Sequence, residues 1–182
     1  MKKIIVPLAN GFEELEAITI IDVLKRANIE VEIISLADLE VKSSNQILIK
    51  ADKKINQKIK QDLSGIILPG GMPGAKNLKN NQKIIELIQY LDEKNALVAA
   101  ICAAPIVLSK AGIITDKKIT SYPGFAAELN TNHYLKQRVV KDGNIITARG
   151  PGVALEFSLE IVEYLKDKKA VKQLKDDMLI DF

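Results

Sequence analysis

The chain has 182 residues, 47% hydrophobic and 27% charged, with a net charge of +3, the make-up of one globular domain with a full core. Its near-balanced charges, with no basic run or aromatic interleaving, exclude an evident nucleic-acid-binding face, and no stretch reaches the ~20 apolar residues of a membrane span. The single cysteine excludes an intrachain disulfide and suits a reducing cytoplasm, while Pro7, Asn10-Gly11, Glu13 and Glu14 break up the N-terminal apolar run that a signal peptide would need.

Lys3 to Ala9 is an apolar run fit for a strand buried on both faces, ended by Asn10-Gly11. Glu13 to Ala27 has helical spacing and good helix formers, with Asn28 placed to cap its end, and Glu30 to Leu36 alternates as a second strand. Such a strand–helix–strand unit opens a doubly wound parallel sheet. Ala37 to Lys60 is lysine-rich with short apolar islands and reads as small edge strands on one flank. Gly65 to Leu68 is another buried strand, followed by the loop Pro69-Gly-Gly-Met-Pro-Gly74, which lets backbone approach whatever occupies the crevice or simply makes a tight turn. Asn81 to Lys94 is an amphipathic helix with Ile84, Ile85, Leu87, Ile88 and Leu91 on its inner face.

Ala96 to Ile101 is again a buried strand, with Pro105 in the first turn of a helix over Ala103 to Ala111 that Gly112 ends. Beyond it, Lys117 to Thr147 holds short mixed segments, including a hairpin from Val139 to Thr147 turning at Asp142-Gly143. Arg149-Gly-Pro-Gly152 breaks the chain before a helix over Val153 to Leu165, and the tail from Lys166 forms a last surface helix. The whole reads as one α/β domain, 1–182, with a mostly parallel central sheet.

Three side chains carry chemistry in this pattern. Cys102 falls at a strand-to-helix corner, in the crevice above the carboxyl ends of the strands where open α/β sheets bind their ligands. A helix N-terminus behind it favours a thiolate, so a depressed pKa is expected; the alternative is an inert thiol that packs as a small hydrophobe. Glu16 shares a helical stripe with Phe12, Ile20, Val23 and Ala27, and desolvation there would raise its pKa and leave it a proton to share with a nearby sulfur. A helix phase one residue different would make it a surface acid, while Glu13 and Glu14 complement the dipole of a first turn. His133, the only histidine, has the pKa range for moving protons at neutrality but is equally compatible with an exposed, structural place. One cysteine, one histidine and distant acids make no recognisable metal-ligand set.

The segments Gly11-Phe-Glu-Glu-Leu-Glu16, Leu68-Pro-Gly-Gly71, Ala99-Ala-Ile-Cys-Ala-Ala-Pro105, His133-Tyr134 and Arg149-Gly-Pro-Gly152 together resemble the ThiJ/PfpI superfamily, in the branch of the Parkinsonism-associated protein deglycase and its bacterial counterparts. The resemblance covers almost the whole chain. It implies a flavodoxin-like sandwich related to class I glutamine amidotransferases, a homodimer, and a reactive Cys102 on a strained nucleophile elbow. It further implies that Glu16 hydrogen-bonds that cysteine, that His133 lies near it, and that the Gly71 and Ala103 N–H groups face the sulfur and would stabilise an oxyanion. The protease-like branch has histidine after the cysteine; Ala103 stands here, which argues against peptidase activity. The glutamine amidotransferases use a late His-x-Glu pair that this chain lacks.

The implied activity is cofactor-independent conversion of methylglyoxal to lactate, with protein deglycation as a related reaction on glycated groups. Two other readings remain open: a redox-responsive stress protein or chaperone in which Cys102 is an oxidisable sensor, and a structural domain with a buried thiol. The first helix is expected to contribute to the dimer that the resemblance implies, since its apolar residues Leu15, Ile18, Ile20, Ile21, Val23 and Leu24 cover more of its circumference than one buried stripe requires.

Overall fold

A computed structural model describes residues 2–55 and 62–182. The strands are β1 (Lys3–Leu8), β2 (Glu30–Ser35), β3 (Glu40–Lys42), β4 (Leu48–Lys50), β5 (Lys53–Lys54), β6 (Leu63–Leu68), β7 (Leu97–Ile101), β8 (Lys118–Ile119), β9 (His133–Tyr134), β10 (Val139–Asp142) and β11 (Ile145–Ala148). The helices are α1 (Glu14–Arg26), α2 (Gly74–Lys79), α3 (Gln82–Glu93), α4 (Pro105–Ala111), α5 (Ala154–Leu165) and α6 (Lys168–Asp177). Seven strands form the main sheet in the order β10-β11-β7-β6-β1-β2-β5. All neighbours in it run parallel except the β10–β11 hairpin.

The continuous apolar runs are explained by helices on both faces of that sheet. In β1, Ile4, Val6 and Leu8 face one core while Ile5 faces the other; in β7, Leu97, Ala99 and Ile101 alternate with Val98 and Ala100. The two-residue period of a strand thus feeds two separate cores. α1, α5 and α6 cover the first, and α2, α3 and α4 the second. Asn28 takes the left-handed conformation just past α1, and Gly112 does the same after α4.

Several sequence expectations need correction. The hairpin turns at Gly143-Asn144 rather than Asp142-Gly143, because Asp142 pairs with Ile145. The flank from Ala37 onward does not simply extend the sheet: β3 and β4 form their own antiparallel pair, and only β5 joins the sheet edge. The part of that stretch at 56–60 lies outside the described residues. The helix α2 was not expected at all. Pro73 and Gly74 read as turn residues, yet Pro73 stands at the N-cap, where its missing N–H is no loss.

Two connections decide where chemistry can occur. The chain leaves β1 on one side to build β2 and later returns to lay β6 against the other side of β1. That reversal opens a crevice at the carboxyl ends of β1 and β6, the position where doubly wound sheets bind ligands. α1 begins beside it, and β7, with Cys102 at its end, is the next strand over.

Candidate active site

Cys102 follows the last residue of β7 and has φ +63°, a left-handed conformation that an L-residue with a side chain adopts only under constraint, at roughly 1–3 kcal/mol. Both of its backbone groups are tied. Its N–H donates to Ala148 O at 2.9 Å, and its carbonyl accepts from Tyr122 N–H at 2.8 Å. The turn lifts the half-buried sulfur out of the strand line toward the crevice.

Glu16, in the first turn of α1, is fully buried, so its place on the apolar stripe is real. Its Oε2 accepts from the Gly70 N–H at 2.7 Å. Gly70 must be glycine for that approach: a Cβ there would lie 2.8 Å from Glu16 Oε2 and 2.7 Å from Cys102 Cβ. Gly71, at φ +85°, then turns the loop, and Glu13 N–H donates to Gly70 O at 3.0 Å. The glycine loop, the start of α1 and the cysteine elbow are therefore packed into direct contact. Glu13 and Glu14 do more than complement the helix dipole, since Ser44 Oγ lies 3.2 Å from a carboxyl oxygen of each and Asn45 Nδ2 donates to Glu14 Oε1 at 2.6 Å. They pin the β3–β4 hairpin beside the site.

Electrostatics couple the acid and the thiol. Desolvation raises the Glu16 carboxyl from its ordinary 4.5 to about 7, although the Gly70 N–H and the Cys102 side chain both work against the rise. Burial, and then the charge of Glu16 once it ionises, push the Cys102 thiol up to about 12, while the Ala103 and Gly71 N–H groups facing the sulfur favour its ionised form. The depression expected from helix-start donors is opposed by burial and by a charged Glu16, so a thiolate at Cys102 depends on Glu16 holding its proton. Burial raises both groups and a charged Glu16 opposes ionisation of the thiol, so the two titrate as a coupled pair. Glu16 Oε1 is buried with no hydrogen-bond partner of its own.

His133 forms no hydrogen bond with this pair among the described residues. It lies exposed on β9, paired with Lys118 of β8, and its backbone N–H donates to Thr131 Oγ1 at 3.1 Å. Among the described residues no hydrogen bond or ion pair joins its ring to Cys102 or Glu16. Nor does any group of three or more His, Cys, Asp or Glu side chains among them suit a metal ion. Gly150, which sequence reasoning passed over, does lie beside the sulfur, and Tyr122 packs against Gly150 while its N–H bonds the Cys102 carbonyl. The glycine in Arg149-Gly-Pro-Gly152 was the available signal, but it read as a chain break.

The profile of the DJ-1/PfpI family matches residues 2–164. The chain belongs to the DJ-1/PfpI family. It is 39% identical to the dj-1beta protein of Drosophila melanogaster, over 100% of this chain and 98% of that one. It is 36% identical to the Parkinson disease protein 7 homolog of Danio rerio, covering 98% and 97% of the two chains. With DJ-1 homolog B of Arabidopsis thaliana it shares 38% identity but spans only 41% of that protein's length. The crystal structure of Drosophila DJ-1beta superposes with a TM-score of 0.95, at 38% identity over 100% of this chain and 99% of that one. An oxidized DJ-1 of Toxoplasma gondii also gives 0.95, at 33% identity over 100% of both chains. The flavodoxin-like architecture with its mostly parallel sheet is thus that of the DJ-1 proteins.

Glu16 leaves a signature in stability. The unfolded chain gives up its Glu16 proton near 4.5, whereas the folded acid–thiol pair gives up its first proton near 7, so the pair favours the fold at low pH. That contribution is lost as pH rises through this window, by about 3 kcal/mol in all. Glu16→Gln removes the titration. Urea unfolding of both proteins from pH 4 to pH 8 should show the variant gaining on the wild type as pH rises; a pH-independent difference would contradict the assignment.

Proposed function

We propose that the protein is a cofactor-independent, cysteine-dependent enzyme for small reactive carbonyls, converting methylglyoxal to lactate and acting as a deglycase on early glycation adducts. The observation that carries this reading is the contact of the fully buried Glu16 carboxyl with the half-buried Cys102 thiol, which hydrogen-bond to one another beside the Gly70, Gly71 and Ala103 N–H groups. The proton belongs on Glu16. The sulfur has two N–H donors, from Gly71 and Ala103, whereas the carboxyl has one, from Gly70, and an orphaned Oε1 that is better off protonated and pointing at sulfur.

The chemistry follows from that arrangement. The Cys102 thiolate attacks the aldehyde carbon, and the carbonyl π electrons move to its oxygen, which the Gly71 and Ala103 N–H groups stabilise. Glu16 gives its proton to that oxygen, completing a hemithioacetal. The resulting carboxylate takes the proton from the former aldehyde carbon and returns it to the neighbouring carbon, while the hydroxyl proton passes to the second oxygen. One carbon is oxidised and the other reduced, so no outside oxidant is needed. Water then hydrolyses the lactoyl thioester, releasing lactate and restoring Cys102. His133, exposed on β9, takes no part in this route.

Family membership supports a DJ-1-like stress-response role. A sensing function for Cys102 is favoured by the oxidized state of the similar Toxoplasma protein, because the same N–H donors would stabilise a sulfinate. We also propose a homodimer built partly on α1. Ile20, Ile21, Val23 and Leu24 turn into the core, while Leu15 and Ile18 are left 52% and 43% exposed.

Cys102→Ser should abolish methylglyoxal turnover, and Glu16→Gln should lower kcat by ~10²–10⁴-fold with the fold intact. Wild-type kcat/KM should rise as pH passes about 7, where the pair loses its first proton. Turnover that survives Cys102→Ser would sink the reading, and clean conversion of Cys102 to sulfinate by mild peroxide without any turnover would favour the sensor. In light scattering the wild type should be a dimer at micromolar concentration and the Leu15→Glu, Ile18→Glu double variant a monomer. A wild-type monomer would contradict the proposed interface.

A further inference from the structure

Gly150 is glycine at a place where the backbone does not demand it. Its φ of 161° and ψ of −171° are extended, and the residue is buried beside the nucleophile. A methyl group built on it would lie 3.4 Å from Tyr122 Cδ2 and 4.0 Å from Cys102 Sγ, with no other atom within 4 Å apart from its chain neighbours. A space the size of a methyl group is therefore in van der Waals contact with the sulfur on one side and an aromatic ring on the other. The backbone that carries the ring is tied to the nucleophile, and a second ring stands beside it. Tyr122 N–H donates to the Cys102 carbonyl at 2.8 Å, and Phe125 meets the ring edge-on at a centroid distance of 6.5 Å. Yet Tyr122 remains 49% exposed, so the ring can meet a ligand.

We propose that Gly150 and Tyr122 form the subsite that receives the acyl group of a 2-oxoaldehyde when its aldehyde carbon bonds to Cys102 Sγ. The proposal rests on the reading of Cys102 as a carbonyl nucleophile. A carbon bonded to the sulfur must carry its substituent within a few ångströms of Sγ. The bare backbone at Gly150 leaves that volume free, and the Tyr122 ring offers an apolar, flat wall against which a methyl or phenyl group packs. The subsite thus discriminates by the group beyond the second carbonyl: hydrogen in glyoxal, methyl in methylglyoxal, phenyl in phenylglyoxal. Glycine in the Arg149-Gly-Pro-Gly152 segment serves space rather than backbone conformation.

Gly150→Ala fills the space without displacing any atom. It should lower kcat/KM progressively from glyoxal to methylglyoxal to phenylglyoxal, with the loss on phenylglyoxal at least ~10-fold greater than on glyoxal, the scale of discrimination that apolar pocket contacts give. A readout free of turnover separates this proposal from the glyoxalase reading. Methyl and benzyl methanethiosulfonate each transfer their thioalkyl group to the Cys102 thiolate and release methanesulfinate. Gly150→Ala should slow benzyl labelling relative to methyl, and Tyr122→Ala, which opens the same space, should shift the ratio the other way. A labelling ratio unchanged in both variants, each folded by circular dichroism, would overturn the subsite. If Gly150→Ala fails to fold, the Tyr122→Ala ratio decides alone. A shifted ratio in a protein that turns over no 2-oxoaldehyde would support the subsite and overturn the glyoxalase reading.

Discussion

A carboxyl and a thiol buried side by side cannot both ionise near neutrality, because neither charge has enough water or enough donors to stabilise it alongside the other. Glu16, fully buried, and Cys102, half-buried, are in that position: burial raises both, and a charged Glu16 raises the thiol further. Everything reactive about the site follows from where the remaining proton sits. On sulfur it leaves an inert thiol beside a poorly solvated carboxylate. On Glu16 it leaves a thiolate facing two backbone donors, with an acid beside it.

The fold holds the pair together by bringing three chain ends to one point. β1 hands over to α1, which carries Glu16; β6 hands over to the glycine loop, which supplies the Gly70 and Gly71 N–H groups; β7 ends at the Cys102 elbow. Each junction holds a conformation or a contact that would be unfavourable alone. Cys102 is left-handed, Gly70 is pressed against Cβ of Cys102 and Oε2 of Glu16, and Glu16 is a fully buried acid. These features persist because helices on both faces pack the sheet with apolar side chains and small alanines at Ala99 and Ala100. A rigid frame of this kind lets strain be concentrated at one residue.

Much of this was legible in the sequence, for identifiable reasons. Buried parallel strands are continuous apolar runs, so β1, β6 and β7 stand out. Helical phase alone put Glu16 on the inner face of α1, because Ile20 and Val23 share its side. What was not legible depends on contacts between segments distant in sequence. The close approach of Gly70 to Glu16 joins residues 54 positions apart, and Tyr122 reaches the Cys102 carbonyl from beyond α4. His133 illustrates the converse: residue type made it a candidate, but on β9, paired with β8, its side chain is exposed and hydrogen-bonds neither Cys102 nor Glu16 among the described residues. The burial that works against ionisation of the sulfur was missed because donors can be inferred from a helix start, whereas the depth of burial cannot.

The central claim is that the shared proton rests on Glu16 and leaves Cys102 as a thiolate, and ultraviolet thiolate absorbance followed against pH tests it most directly. The account requires absorbance belonging to Cys102, absent from Cys102→Ser, to appear with a midpoint well below the ordinary thiol value of 9.0. Absorbance that stays away until the pH nears about 12, where the thiol ionises beside a charged Glu16, would put the proton on sulfur and contradict the account.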